Sequence, residues 1–221
     1  MELNVILFGA TGHIGQGVLI ECLEDPRISK VHVIGRKSIG KTHTKIQETI
    51  HSDFLDYSDI EDQLTGYDAC FFCLGVSSVG LREDQYRRIT YDYAMAAARV
   101  LVRLNPQMTF CFISGAGTDA TLESRMMWAR VKGQTENDLK TLPFKQVYLM
   151  RPAFIQPKKG VRTNYTMYKI LGPLFPLLKS LMPKWVTTTE EVGQAMIHAV
   201  VSGYDTQTLE NRDIIKLSGL R

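Results

Sequence analysis

No apolar run in this chain reaches the roughly 20 residues that a membrane-spanning helix needs, so no transmembrane segment is expected. No dense block of lysine and arginine occurs, and a net charge of +3 over 221 residues is too small to mark a nucleic-acid binder. Met1-Glu-Leu-Asn4 runs straight into a strand pattern, so neither a signal peptide nor a transit peptide is expected, and the default compartment is the cytoplasm. Cys70 and Cys73 have a metal or redox spacing, but they lie inside Asp68–Gly75, which reads as a strand. Residues three apart on a strand face opposite ways, so these thiols cannot converge on a metal or on each other. Cys22 and Cys111 sit in apolar helix and strand patterns, and all four cysteines read as small buried hydrophobes. His32, His43, His51 and His198 show no ligand spacing, so no metal is expected. Repeats and low-complexity tracts are absent as well. What remains, 44% hydrophobic and 22% charged residues, is an ordinary globular composition, read as a single domain over 1–221.

The informative string is Val5-Ile-Leu-Phe-Gly-Ala-Thr-Gly-His-Ile-Gly15. An apolar strand delivers the chain to Gly9, where it must turn tightly. Gly12 lets a pyrophosphate approach the backbone, and Gly15 lets the following helix pack on the strand. The free N–H groups of that helix, opened by Thr11, Gly12, His13 and Ile14, attract phosphate charge. A glycine triplet alone is weak, but here a strand precedes it and an apolar-periodic helix (Ile14, Val18, Leu19, Cys22) follows. His13 reads as a packed or solvent-facing imidazole rather than a proton carrier.

Apolar runs then alternate with helical patterns. Strands are expected at 3–8, 30–34, 46–50, 68–74, 108–114 and 146–151, with a late one at Asp213–Leu217. Helices are expected at 14–23, 58–64, 83–104, 121–142 and 190–202. This alternation predicts an α/β fold, a Rossmann-type doubly wound parallel sheet with a small C-terminal cap on the substrate side. Ligands of such sheets sit beyond the C-terminal strand ends, where the winding reverses. One cleft is therefore expected to gather 9–15, 35–38, 53–54, 74–78 (with Leu74, Gly75 and Val76), 114–118 and 152–155. Residues 152–189 break the alternation with five prolines around the apolar stretch 168–183. That stretch reads as a cap of short helices, as packing against the sheet edge, or as a dimer or membrane-surface contact flanked by lysines.

After the second strand, where an acid would bind the ribose 2′-hydroxyl, the chain carries Gly35-Arg36-Lys37-Ser38 and no carboxylate. Two cations and a hydroxyl suit a 2′-phosphate, so NADP is favoured, with NAD possible; a solvated basic turn is the alternative. Asp53, followed by Phe54, could take the adenine amino group or cap a helix.

Together, Gly9–Gly15, Asp53-Phe54, Leu74-Gly75, the strand ending at Ser114, and Lys132 on a helix before Arg151-Pro152 resemble the atypical short-chain dehydrogenase/reductases. The branch indicated is NAD(P)-binding, NmrA-like and Tat-interacting oxidoreductase-like, also labelled NAD-dependent epimerase/dehydratase, over about residues 3–200. The resemblance implies a Ser–Tyr–Lys set in which Ser114 orients the substrate oxygen and Lys132 holds the nicotinamide ribose. It also implies subunit pairing through the helices at 83–104 and 121–142. The tyrosine position, four residues before Lys132, holds Trp128, whose indole N–H donates a hydrogen bond but exchanges no proton at working pH. Trp128 then orients a carbonyl or forms a pocket wall, Ser114 is catalytic or a turn former, and Tyr91, Tyr93, Tyr165 or Tyr168 could reach the site in space. Pro152 and Phe154 close the nicotinamide end of the cleft, with Arg151 either beside them or buried as a brace. Two functions stay open: an oxidoreductase or epimerase-like enzyme on a small carbonyl or alcohol, with a non-standard proton donor, and a non-catalytic NADP(H)-sensing regulator.

Overall fold

The computed structural model describes residues 2–158, 160–161, 182 and 185–219. Strand β1 (Leu3–Phe8) shows why the sheet is covered on both faces. Its alternate residues Leu3, Val5 and Leu7 join one apolar cluster, while Ile6 and Phe8 join another, as a period of two requires. Around β1 lie β2 (Ile28–Gly35), β3 (Ile46–Ile50), β4 (Ala69–Phe72), β5 (Thr109–Ile113), β6 (Gln146–Arg151) and β9 (Thr208–Glu210). Their order is β3-β2-β1-β4-β5-β6-β9, every pair parallel. The winding reverses between β1 and β4, so the expected doubly wound sheet is what forms.

One face is covered by α1 (His13–Glu24), α5 (Thr189–Ser202) and α6 (Asn211–Ser218), through Val18, Leu19, Val192, Met196, Ile214 and Leu217. The other is covered by α3 (Tyr93–Leu104) and α4 (Met127–Thr141), with Ala94, Ala98, Leu101 and Leu139 on a layer of phenylalanines from β4 and β5. Cys70 belongs to the second cluster and Cys73 packs against the first. They sit on opposite faces, and all four thiols are unbridged.

Several boundaries differ from expectation. The late strand is a helix: 213–217 lies in α6, and the strand precedes it as β9. Asn211, Ile214 and Leu217 are the buried positions, a spacing of three that suits a helix, and Asp213 accepts the Glu210 N–H to close its first turn. The helix expected from 121 begins only at Met127, because the Asp119 carboxylate collects the N–H groups of Thr121 and Ser124 in a local turn. The 58–64 helix shrinks to one 3-10 turn, Glu61–Leu64. The long 83–104 helix is α2 (Glu83–Arg87), a π turn (Arg88–Asp92) and α3 in continuous succession. Within the region assigned to the cap, β7 (Phe154–Gln156) pairs in parallel with β8 (Val186–Thr188). The body of that cap, 162–181, with Tyr165 and Tyr168, lies outside the described residues.

Helices α1 and α5 pack closely because both present glycine at the contact. A Cβ on Gly17 would collide with Thr189, and one on Gly193 would come within 2.7 Å of the Glu21 side chain and 3.2 Å of the Val18 Cα. Lys158, just past β7, clasps the pair by ion pairs to Glu21 (2.8 Å) and Glu24 (3.1 Å) of α1 and to Glu190 (3.6 Å) of α5. Gly193→Ala is expected to cost about 1–3 kcal/mol of unfolding free energy through overpacking. Gly219→Ala, whose new methyl meets nothing nearer than 3.7 Å, should stay within about 0.5 kcal/mol. Urea unfolding of the two variants checks this.

Candidate functional site

At the reversal between β1 and β4 a cleft of about 1350 Å³ opens over the C-terminal strand ends. Gly9, at φ +78°, makes the turn out of β1, where any Cβ would lie 2.6 Å from the Cys73 carbonyl. A Cβ on Gly15 would collide with the Gly9 carbonyl. Both glycines therefore hold the turn rather than line the cleft. The lining comes from Thr11, Gly12, His13 and Ile14. Gly12 is the N-cap of α1 and, having no side chain, brings no capping oxygen to the helix start. Burial pushes the His13 imidazole pKa down, which keeps the ring neutral at pH 7.

Opposite this turn, the end of β5 and the first turns of α4 bring Ser114, Trp128 and Lys132 to the same cleft. The Lys132 Nζ donates to the carbonyls of Ser114 (2.7 Å) and Ile113 (3.2 Å). Burial pushes its pKa down to about 8, partly offset by the Glu136 carboxylate one helical turn on. Ser114 is buried and shares a 2.9 Å hydrogen bond with the Thr118 hydroxyl, which itself donates to the Gly115 carbonyl. Thr118 has one hydrogen, so the shared bond uses the hydrogen of Ser114, and Ser114 meets a ligand as an acceptor. The Trp128 indole lies over Gly117, 3.3 Å from where a Cβ would sit, and Gly117 is at φ +87°. A Cβ on Gly133 would collide with the Asp119 carbonyl, so α4 lies directly on the loop that follows β5.

Leu74, Gly75, Val76 and Pro152 also line the cleft. Arg36, Lys37, Asp53, Phe54 and Phe154 do not. Arg36 and Lys37 are exposed, and the lining from their loop is Ser38, Ile39, Gly40 and Lys41. The Asp53 carboxylate accepts the Leu55 N–H at 3.0 Å in a local turn. Phe54 is packed edge-on to Phe8 in the core, which uses the ring for packing rather than for a ligand. On β7, Ile155 lines the cleft, whereas its neighbour Phe154 does not, as strand alternation requires. Arg151 is a brace: it pairs with fully buried Glu136 (2.5 Å) and with Glu210 (3.0 Å). Tyr91 donates to Asp138 and Tyr93 packs on Phe54, and neither lines the cleft. Sequence reading missed Lys41 and Tyr86, both in the lining; Lys41 was signalled by its cationic loop, Tyr86 by nothing local. No cluster of three metal-ligating side chains forms among the described residues, and no helix among them is long and apolar enough to cross a membrane.

No protein-family model matches the chain. Protein FMP52 of Chaetomium globosum is 28% identical over 98% of this chain and 97% of its own length. Protein FMP52 of Saccharomyces cerevisiae is 27% identical over 98% and 96%. Protein HTATIP2 of Rattus norvegicus is 26% identical over 97% and 88%. Over nearly its whole length the chain is similar to FMP52 and HTATIP2. The fold agrees. Bordetella bronchiseptica WbmF, solved with NAD+, superposes with a TM-score of 0.69 at 14% identity, over 97% of this chain and 77% of that one. A Methanobrevibacter ruminantium UDP-N-acetylglucosamine 4-epimerase gives 0.65 at 16% identity, over 94% and 75%. One expectation is overturned: four fungal FMP52 relatives are named as mitochondrial proteins, so the cytoplasmic assignment does not stand.

Two outcomes follow from this geometry. Lys132, titrating near pH 8, should react with an amine reagent about tenfold faster per pH unit up to that point and then level off, whereas exposed lysines keep gaining to about pH 10.4. Peptide mapping by mass spectrometry across pH 6.5 to about 10 reads the midpoint. Arg151→Met strands the buried Glu136 carboxylate and should cost about 3–5 kcal/mol, with most of the loss restored by Arg151→Met/Glu136→Leu; denaturant unfolding compares the two.

Proposed function

We propose that this protein is an NADP(H)-dependent oxidoreductase or epimerase-like enzyme acting on a small carbonyl or alcohol. The carrying observation is the start of α1, whose N-cap brings no side-chain oxygen, lining the same cleft as Ser114 and Lys132. Thr11, Gly12, His13 and Ile14 would hold the pyrophosphate on backbone N–H groups. Gly75 supports close passage of a nucleotide, since nothing lies within 4 Å of where its Cβ would be. When bound, the cofactor supplies hydride chemistry; the protein's task is orientation. The Lys132 ammonium has three donors and spends two on carbonyls, which leaves one for a ribose hydroxyl. Ser114, with its hydrogen engaged, accepts from a substrate alcohol. Trp128, which stands where the resemblance puts a tyrosine, walls the substrate side and excludes water without moving a proton.

The preference for NADP over NAD rests on charge around β2. Arg36, Lys37 and Lys41 form a cationic loop. The nearby Glu48 carboxylate on β3 is committed to that loop, taking the Ser38 hydroxyl and the Ile39 N–H at 2.7 Å each. It organises the turn instead of offering itself to a 2′-hydroxyl. WbmF, solved with NAD+ and with NADH, supports a dinucleotide in this fold. The mitochondrial names of the fungal relatives support the same compartment for this chain.

NADPH should bind at least about tenfold tighter than NADH, the worth of one or two charged hydrogen bonds. Arg36→Ala/Lys37→Ala/Lys41→Ala should bring the two affinities together, and Gly12→Val should remove binding of both. Calorimetric titration measures this. Equal affinities in the native protein would refute the NADP preference, and no affinity for either nucleotide would refute the whole reading.

A further inference from the structure

Trp128 leaves the cleft without a phenol at the expected place, yet one tyrosine lines it from another element. Among the described residues that tyrosine is Tyr86 of α2. It is 2% exposed, so its hydroxyl is screened from bulk water. Glu83 and Tyr86, three residues apart, share a face of α2. Glu83 pairs with Arg130 of α4 at 2.6 Å, and Arg130 also donates to the Ser124 carbonyl. That clamp holds the Tyr86 face against the first turn of α4, where Trp128 sits and from which Lys132 follows one turn on. Beside Tyr86 is Thr90, inside the π turn, whose buried hydroxyl is a side-chain hydrogen-bond partner of the Tyr86 phenol. A π turn inside a helix is rare and recurs at functional sites. Burial raises the Tyr86 phenol pKa, which suits an acid that stays protonated near neutral pH.

We propose that Tyr86 is the catalytic acid of this cleft, giving its phenolic proton to the carbonyl oxygen of the substrate. This rests on the oxidoreductase reading above. In the reduction, the carbonyl carbon gains a hydride from a reduced nicotinamide nucleotide, and the C=O π pair moves onto oxygen. That oxygen takes the Tyr86 proton to become an alcohol, and the phenolate left behind recovers a proton from water in the cleft. Lys132, one of two lysines lining the same cleft among the described residues, offsets the phenolate charge.

The test compares the native protein with Tyr86→Phe and Trp128→Phe on aldehydes, ketones and quinones with NADPH. Tyr86→Phe should lower kcat about 10²–10⁴-fold, the worth of a general acid, with NADPH affinity unchanged. A second readout needs no turnover: calorimetric binding of an unreactive amide analogue of the best substrate. Loss of the phenol should weaken it about 3–10-fold, the worth of one hydrogen bond. Trp128→Phe should chiefly raise KM. A Tyr86→Phe protein with native kcat and native analogue affinity would overturn the role of Tyr86 while the oxidoreductase reading stands. Native protein that binds NADPH and reduces nothing in the panel would overturn both.

Discussion

The backbone of the first turn approaches itself so closely that only hydrogen fits at two positions. A side chain on Gly15 would occupy the place of the Gly9 carbonyl, and one on Gly9 would enter the peptide after Cys73. This contact sets the start of α1 over the end of β1 and beside the end of β4, at the reversal of the winding. The first-turn amides of α1, the mouth between β1 and β4, and the reach to Ser114 across β5 all inherit their places from it. The apolar layers on both sheet faces give the stability; the glycine contact decides where a cavity is left.

Charge does a different job from the apolar layers. Glu136 and Arg151 join α4 to the end of β6, and Glu210 extends the link to β9. The same Glu136 carboxylate keeps Lys132 from losing its proton altogether in a desolvated place. Such a buried pair adds little net stability, but it fixes the height of α4 against the strand ends. The site lysine and its wall, Trp128, ride on that helix. On the other side, Lys158 fastens the segment leaving β7 to α1, so that segment is tied to the helix whose start lines the cleft.

Elements whose signal is local were readable from residues alone. β1, β3 and β6 fall where their apolar runs begin and end, and the Gly9–Gly15 string marked the tight turn between β1 and α1, where only glycine fits at Gly9 and Gly15. Errors fell where two local preferences compete. The 213–217 run is apolar enough for a strand, but its buried positions repeat every three residues and it is a helix. Asp119 unwinds the predicted start of α4 by capturing nearby amides. Phe54 was assigned to the cofactor as the neighbour of Asp53 after the third strand, whereas its ring packs on Phe8 in the core.

The amino-acid order by itself determined the parallel sheet and the glycine turn after β1, because the signals for both lie in residues close together in the chain. The contact of Lys132 with Ser114, 18 residues away, needs the fold. Tertiary structure alone decided that Tyr86 enters the cleft, that Arg151 is a brace and that Glu48 is spent on its own loop. Those outcomes depend on which elements meet across the sheet. Contacts such as Glu83 with Arg130, 47 residues apart, leave no periodic trace in the sequence, since the energy that makes them is shared between distant surfaces.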